Sequence, residues 1–446
     1  MSPPAIGPTV LEQTLGGRLF PAVCKLVIVW VVFSLFGEQL SRAFALGNDL
    51  LTDSGDAYSE ANDVRAGESY ADQGLTSNVG LPEISYGTKF EYQGGKHDNL
   101  LCESSIKCVY LHYPPGPELA MGAMTRVFGK GHLFAYRVVP LVVGLLALCA
   151  LGAALIQSIG PFRAAVVMWL LGKVPMTSNM MHVFTTHSWS QAFFLLEVAA
   201  LLVALSRPTT RNRHLWAVGL AAFCEGWTAF DYVFLVALSP LAVFLAQKDI
   251  RNPVSRRRLR SLLVVAAGAY ATAILLHFVQ VAVFLGGIGH AWSNFAAAAK
   301  NRSFGATWVK PPVGGGLGNI LYYWTTLLPD KKFYDGNFIA LLATTLAALW
   351  PKRVSLHLGT LGRITWQSGW SQVASFAVTM TMACGWLVVM QQHASIHGHF
   401  VPRLFESVVL MAYVSVAHTL SFERRRQGGE ATGLYEVERD SRRGVA

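Results

Sequence analysis

The chain has 446 residues, of which 52% are hydrophobic and only 14% are charged. Soluble proteins carry about a quarter charged residues, so this composition excludes an ordinary soluble domain. The formal net charge of +10 does not indicate a nucleic-acid partner. Its basic residues fall in short loops between apolar blocks, which is typical of cytoplasmic loops under the positive-inside rule.

Apolar blocks long enough to cross about 30 Å of hydrocarbon recur along the whole chain. We therefore predict an all-α polytopic membrane protein with about ten or eleven transmembrane helices. The segment 114–128 is apolar but short for a full span. The predicted spans are 22–44, 134–157, 162–180, 188–206, 213–229, 231–247, 259–285, 336–350, 368–391 and 399–421.

The basic loops also predict how the chain is divided and oriented. Residues 1–21 form a cytoplasmic N-terminus, 22–421 form the membrane domain, and 422–446 form a polar cytoplasmic tail typical of disorder. The first apolar block has no convincing cleavage site and is interpreted as a retained helix. This orientation places two large loops outside, 45–113 and 286–335. Cys102 and Cys108 lie in the first of them, where an oxidising compartment favours a disulfide over two free thiols.

An acidic stretch follows the first span directly. Asp53 and Asp56 stand where the chain leaves the membrane, and carboxylates are costly there unless they have a role. We interpret the later carboxylates of this loop as solvated surface; they are Glu60, Asp63, Glu68 and Asp72. The loop ends in a second unusual element, His112-Tyr113-Pro114-Pro115-Gly116.

Other unusual polar residues fall on the same predicted outer side. His187 lies in the turn before the fourth span, and Glu225 and Asp231 lie at the ends of two apolar helices, where a carboxylate needs a partner or a function. The last outer loop contains His397, His399 and Arg403. Histidines of this loop could bind a metal, but Gly398 and Pro402 favour a loop over the helix that such spacing requires. Together these residues predict a site at the outer end of the bundle.

The order of these features resembles the GT-C membrane glycosyltransferases that use polyprenyl-phosphate-linked sugars, such as the protein O-mannosyltransferases and lipid A aminoarabinose transferases. The resemblance rests on Asp53 or Asp56 followed by Tyr58 and Ala61, on the His112-Tyr113-Pro114-Pro115 element, and on the Arg137-bearing span. The sequence departs from the pattern in two ways. Its acidic pair is three residues apart, and Thr186-His187 stands where relatives often carry an acidic residue.

The resemblance implies a GT-C-like bundle with a partly helical first outer loop. It implies inverting transfer of a hexose or pentose from a polyprenyl-phosphate donor to a hydroxyl of a glycan, lipid or protein. Asp56 or Asp53 is the expected general base. No cofactor is assigned, and a divalent metal is left open. The expected location is a bacterial inner or plasma membrane, with the active site extracytoplasmic. The substrate-binding candidates are Tyr58, His112, Tyr113, His187, Glu225, Asp231, His397, His399 and Arg403.

Two other functional classes remain open at this point. One is a GT-C relative that kept the fold and lost the reaction. The other is a transporter or flippase of a lipid-linked substrate, for which Glu225 and Asp231 would bind or couple the cargo. Release of polyprenyl phosphate that depends on an acceptor would distinguish a transferase from a flippase.

Overall fold

The computed structural model describes a large part of the membrane domain. The described residues are 10–50, 57–87, 100–102, 108–173, 182–207, 212–247, 253–300, 354–357, 363–366, 370–389, 409–414, 417 and 420–423. Asp53, Asp56, His397, His399, Arg403 and the predicted span 336–350 lie outside these ranges. Tyr58 and Cys102 are described only by their backbone.

The described chain is dominated by helices. They are α1 (Val10–Leu46), α2 (Ala57–Gln73), α3 (Gly116–Phe128), α4 (Leu133–Ile159), α5 (Pro161–Leu171), α6 (Thr186–Ser206), α7 (Asn212–Gly226), α8 (Val233–Gln247), α9 (Pro253–Phe284), α10 (Ile288–Lys300) and α11 (Trp370–Val389). A short 3₁₀ helix covers Ser77–Gly80. Within the described ranges, four helical segments are long and apolar enough to cross a membrane; they are Leu19–Leu46, Leu133–Ile159, Thr186–Ser206 and Arg256–Phe284. The prediction of an all-α polytopic membrane protein is confirmed.

Two small antiparallel sheets accompany the helices. In the first outer loop, β1 (Leu100–Cys102) pairs with β2 (Cys108–Tyr110), and this register places Cys102 opposite Cys108. Cys108 is disulfide-bonded, so the register supports the predicted pairing. The second sheet joins β3 (Val354–His357), β4 (Arg363–Trp366) and β5 (Leu420–Glu423). Both sheets are short additions to a helical protein.

The length of its helix shows whether the segment 114–128 can cross the membrane. Helix α3 has 13 residues, so at 1.5 Å per residue it measures about 20 Å, which is too short for the hydrocarbon core. It packs instead on α2, which puts both helices in the partly helical outer loop.

The membrane helices pack around one continuous apolar core. Helix α4 contacts α1, α5 and α6. Helix α6 in turn packs against α7 and α8, and both of these contact α9. The chain reverses between α4 and α5 at Gly160, whose φ of +82° suits glycine, and Pro161 then starts the next helix. Large apolar side chains such as Trp30, Leu146 and Trp216 remain exposed at the bundle surface, as expected of side chains that face lipid.

The two ends of the bundle differ in chemistry. Near one end, the Gln280 side chain of α9 donates a hydrogen bond to the Val79 carbonyl at 3.2 Å, which brings the outer-loop 3₁₀ helix to the end of α9. At the other end, Arg258 donates to the Arg207 carbonyl at 2.7 Å, and further arginines of α7 and α9 lie close by. We call this second end the basic end. Arg257 and Gln280 are 23 positions apart on α9, a distance of about 35 Å along the helix, which is enough to cross the membrane.

Candidate functional site

Two turns that are far apart in sequence meet at the end opposite the basic end. Tyr113 Oη donates a hydrogen bond to Asp231 Oδ2 at 2.9 Å, across 118 positions of sequence. Beside this bond, the Gly116 amide donates to the Trp227 carbonyl at 3.1 Å. A Cβ added to Gly116 would lie only 2.4 Å from that carbonyl oxygen, so only glycine permits this close approach. The structure thus brings together the His112–Gly116 element and the turn after α7.

An aromatic cluster surrounds this junction. It consists of His112, Tyr113, Phe230, His277 and Phe295. His112 packs edge-on against Tyr113, with centroids 4.5 Å apart, and Tyr113 stacks on Phe230 at 5.8 Å. His277 Nε2 lies 3.1 Å from the Leu111 carbonyl oxygen, and its ring contacts both Phe230 and Phe295. Through His277 and Phe295, helices α9 and α10 contact Phe230 at the junction of the two turns.

An apolar groove starts beside the aromatic cluster and runs between α8, α9 and α10. Its volume is about 720 Å³. Tyr270 lines the groove and donates to the Ala229 carbonyl at 2.8 Å, while Phe295 belongs to both groove and cluster. The aromatic cluster and the apolar groove are therefore adjacent and share Phe295. The lining residues of the groove are Val233, Ala237, Ala267, Tyr270, Ala271, Ile274, Leu275, Phe278, Ile288, Trp292 and Phe295.

Two carboxyl groups besides Asp231 belong to this end of the bundle. Glu225 and Glu197 are fully buried, and Asp231 of the junction is 4% exposed. Ser239 Oγ donates to Glu197 Oε1 at 2.9 Å, whereas neither carboxyl oxygen of Glu225 has a hydrogen-bond partner among the described residues. Sequence reasoning missed Glu197, although a glutamate within the apolar run of α6 was a detectable signal.

The first outer loop is anchored by a buried ion pair. Arg137 of α4 binds both carboxyl oxygens of Glu60, at 2.6 and 2.9 Å, and also donates to the Asp49 carbonyl at 2.7 Å. Its guanidinium lies 4.8 Å from the centre of the Phe184 ring. The interpretation of Glu60 as solvated surface was wrong, because its carboxylate is fully buried and neutralises the buried Arg137 guanidinium. Asp63 is also buried, whereas Asp72 is exposed.

The remaining predicted residues of the described chain lie apart from the aromatic cluster. His187 is in the first turn of α6, between Phe184 and Trp189, which pack in a separate small core. Nearby, Nδ1 of the buried His182 lies 2.7 Å from Oε1 of Gln39. Burial lowers the pKa of the His182 imidazole to about 4. Among the residues that the structure describes, no group of three or more His, Cys, Asp or Glu side chains could hold a metal ion.

Comparisons with known proteins identify the fold. No family model and no curated protein matches the sequence. Among solved structures, ArnT from Cupriavidus metallidurans bound to undecaprenyl phosphate matches with a TM-score of 0.54 and 14% identity, covering 87% of this chain and 59% of that one. The same enzyme in the apo state gives 0.44 at 16% identity, with the same coverage. An Archaeoglobus fulgidus oligosaccharyltransferase gives 0.43 at 12%, covering 87% of this chain and 50% of that one.

The first match shows that the chain shares the fold of ArnT, which agrees with the resemblance found in the sequence at the level of fold. The chain spans about 59% of the length of that enzyme.

Proposed function

We propose that this protein is a membrane glycosyltransferase that moves a sugar from a polyprenyl-phosphate-linked donor to an acceptor hydroxyl on the extracytoplasmic face. The observation that carries the proposal is the junction of Tyr113 and Asp231, which the rings of Phe230 and Phe295 connect to the apolar groove. A lipid-linked sugar has the same division into a polar head and a long apolar tail. The matched ArnT structure holds undecaprenyl phosphate, a lipid of this class.

The proposed chemistry is one displacement with inversion. Asp56 or Asp53 takes the proton of the acceptor hydroxyl while its oxygen forms a bond to the anomeric carbon. The bond from that carbon to the phosphate oxygen breaks, and its electron pair leaves with polyprenyl phosphate. Arg137 supports this assignment, because it binds Asp49 and Glu60, the residues on either side of the acidic segment.

The residues of the junction are proposed to bind the sugar. The faces of His112 and Tyr113 offer aromatic packing, and Asp231 accepts hydrogen bonds, one of them from Tyr113. Glu225, near the end of α7, is also proposed to belong to the sugar-binding site. Tyr58, His187, His397, His399 and Arg403 complete the proposed substrate contacts, with Arg403 suited to the leaving phosphate because a guanidinium can bind phosphate in a bidentate manner.

The deciding experiment follows polyprenyl phosphate release by the purified full chain, reconstituted with labelled polyprenyl-phosphate sugars and a panel of hydroxyl acceptors. We expect release only when an acceptor is present. Replacing the base, Asp56→Asn or Asp53→Asn, should lower the rate by about 10²–10⁴. Asp72→Asn is the matched control, because Asp72 lies on the same loop but pairs with Lys130 and Tyr86 at the exposed surface.

A test of the junction itself uses Tyr113→Phe, which keeps the aromatic packing and removes only the bond to Asp231. We expect transfer to fall by about tenfold, the effect of one hydrogen bond to a charged group.

If both Asp variants keep full activity, the assigned base is wrong. Loss of activity on adding EDTA would assign a metal requirement.

A second function, transport of the lipid-linked substrate, is favoured by one observation. The fully buried Glu225 carboxyl has no hydrogen-bond partner among the described residues, and intramembrane carboxyls often bind coupling ions or cargo. Movement of the labelled lipid between leaflets, without acceptor-dependent release of polyprenyl phosphate, would support this function and contradict the transferase.

A further inference from the structure

A second apolar groove lies on the outer surface of the bundle, between α7 and α9, away from the aromatic cluster. Its volume is about 560 Å³. Several of its side chains are strongly exposed, including Trp216 at 78%, Val264 at 66% and Leu220 at 64%. The groove is lined by Asn212, Leu215, Trp216, Gly219, Leu220, Phe223, Val264, Val265, Gly268, Ala269 and Thr272.

The two helices that form this groove run in the same direction. An added Cβ at Gly219 would meet Val265 at 3.1 Å, and one at Gly226 would meet Tyr270 at 2.9 Å, so contacts advance together along both helices. The starts of α7 and α9 therefore both lie at the basic end. From Asn212 to Phe223 the groove extends about 17 Å, close to the thickness of one leaflet, which is half of about 30 Å.

Exposed arginines stand at the basic end of this groove. Arg213 precedes Trp216 by three residues and Leu220 by seven, so it shares their helix face. On α9, Arg260 precedes Val264 by four residues, and Arg257 precedes it by seven. All three arginines are exposed, and none forms an ion pair with another described residue. We call Arg213, Arg257 and Arg260 the arginine triad.

We propose that the groove and the arginine triad form a binding site for an anionic phospholipid of the leaflet at the basic end. One acyl chain lies in the groove between α7 and α9, and the headgroup phosphate contacts the triad. The length of the groove matches one acyl chain of a single leaflet, and the charge at its end matches an anionic headgroup. The site is separate from the proposed donor groove, which lies between α8, α9 and α10 and has different lining residues.

Gly268 permits a test of the groove that leaves the charges intact. A Cβ added there meets nothing within 4 Å, so Gly268→Leu points into open space and fills the groove. Leucine also has a higher helix propensity than glycine, so α9 should not be weakened. The charge test is the triple variant Arg213→Gln, Arg257→Gln and Arg260→Gln.

The experiment is native mass spectrometry of the full chain equilibrated with equal amounts of phosphatidylglycerol and phosphatidylcholine of identical acyl chains. We expect the wild type to retain phosphatidylglycerol at least about tenfold better, because each arginine near the headgroup attracts its negative charge. The triple variant should lose this preference, and Gly268→Leu should reduce retention of both lipids. Arg163→Gln is the matched control, because Arg163 lies in the first turn of α5, a helix that does not line the groove.

Each other outcome contradicts the proposal. Equal retention of the two lipids by the wild type would mean that no anionic headgroup is recognised. Unchanged retention in Gly268→Leu would mean that the groove does not hold the acyl chain. Displacement of the lipid by inorganic phosphate would identify a free anion site instead. If the triple variant does not fold, Gly268→Leu tests the site by itself.

Discussion

Among the described residues, the ion pair of Arg137 with Glu60 is the one that is fully buried. Both side chains are fully buried, and they share two hydrogen bonds. Removing one partner of such a pair leaves an uncompensated buried charge. The observed geometry therefore predicts a much greater loss of stability than for any exposed pair.

We expect Glu60→Gln to destabilise the protein by about 3–5 kcal/mol, and to lower its thermal unfolding temperature accordingly. Glu38→Gln is the control, because Glu38 pairs with Arg42 on an exposed helix surface, with side chains 47% and 42% exposed. An exposed pair contributes about 0–1 kcal/mol. Equal unfolding temperatures for the two variants would contradict this account of the buried pair.

Glu118 makes stability depend on pH. Burial raises the pKa of the Glu118 carboxyl in α3 from its ordinary 4.5 to about 7. Between these values the folded protein holds a proton that the unfolded chain has lost, so stability falls as pH rises through this window. The total effect is on the order of 3 kcal/mol. Thermal unfolding between pH 4.5 and 7.5 should show this decline, and Glu118→Gln should flatten it; an unchanged slope would show that other groups cause it.

At the scale of elements, α2 and α3 pack closely because small residues lie at their contact. A Cβ added to Gly122 would lie 2.7 Å from the Tyr70 Cβ. Tyr70 is almost fully buried and also donates to the Gly80 carbonyl at 2.8 Å. The Tyr70 side chain is held in place by this hydrogen bond and by its burial, so it cannot move aside to make room for a larger residue at position 122. The contact between these two helices is therefore sensitive to added volume.

We expect Gly122→Val to destabilise the protein by about 1–3 kcal/mol through overpacking. Gly268→Ala is the matched control in a helix, because its Cβ meets nothing within 4 Å; alanine there should be neutral or slightly stabilising. Thermal unfolding of the two purified variants provides the comparison. Tolerance of valine at position 122 would mean that the two helices can separate at low cost.

At the scale of the whole molecule, the structure separates the acidic outer loop from the basic end by the length of α9. Val79 contacts Gln280 near one end of this helix, whereas Arg257 is near the other. The arginines predict that the basic end is cytoplasmic. In intact cells and a background without native cysteines, a membrane-impermeant maleimide should label Asp72→Cys but not Arg257→Cys.

Permeabilised cells are the control for this experiment, because both positions are exposed and should then react. Labelling of Arg257→Cys in intact cells, without labelling of Asp72→Cys, would reverse the proposed orientation. It would also place the aromatic cluster in the cytoplasm and so contradict an extracytoplasmic active site.

Much of the fold could be predicted from the sequence, because membrane spans depend on local composition. The predicted span 134–157 became α4, Leu133–Ile159, and 368–391 became α11, Trp370–Val389. The candidate site was predicted only in part. His112, Tyr113 and Asp231 are brought together as the pattern of outer loops suggested. Asp53 and Asp56 remain a prediction from the sequence.

Hydropathy and charge along the chain were enough to predict a helical membrane protein with a basic end, because both act through neighbouring residues. Which polar groups meet depends on how the helices pack. The pairing of Tyr113 with Asp231 joins residues 118 positions apart, and that of Arg137 with Glu60 joins residues 77 apart. No local pattern encodes such pairs. The cost of burying a charge requires a partner, but helix packing decides which residue supplies it.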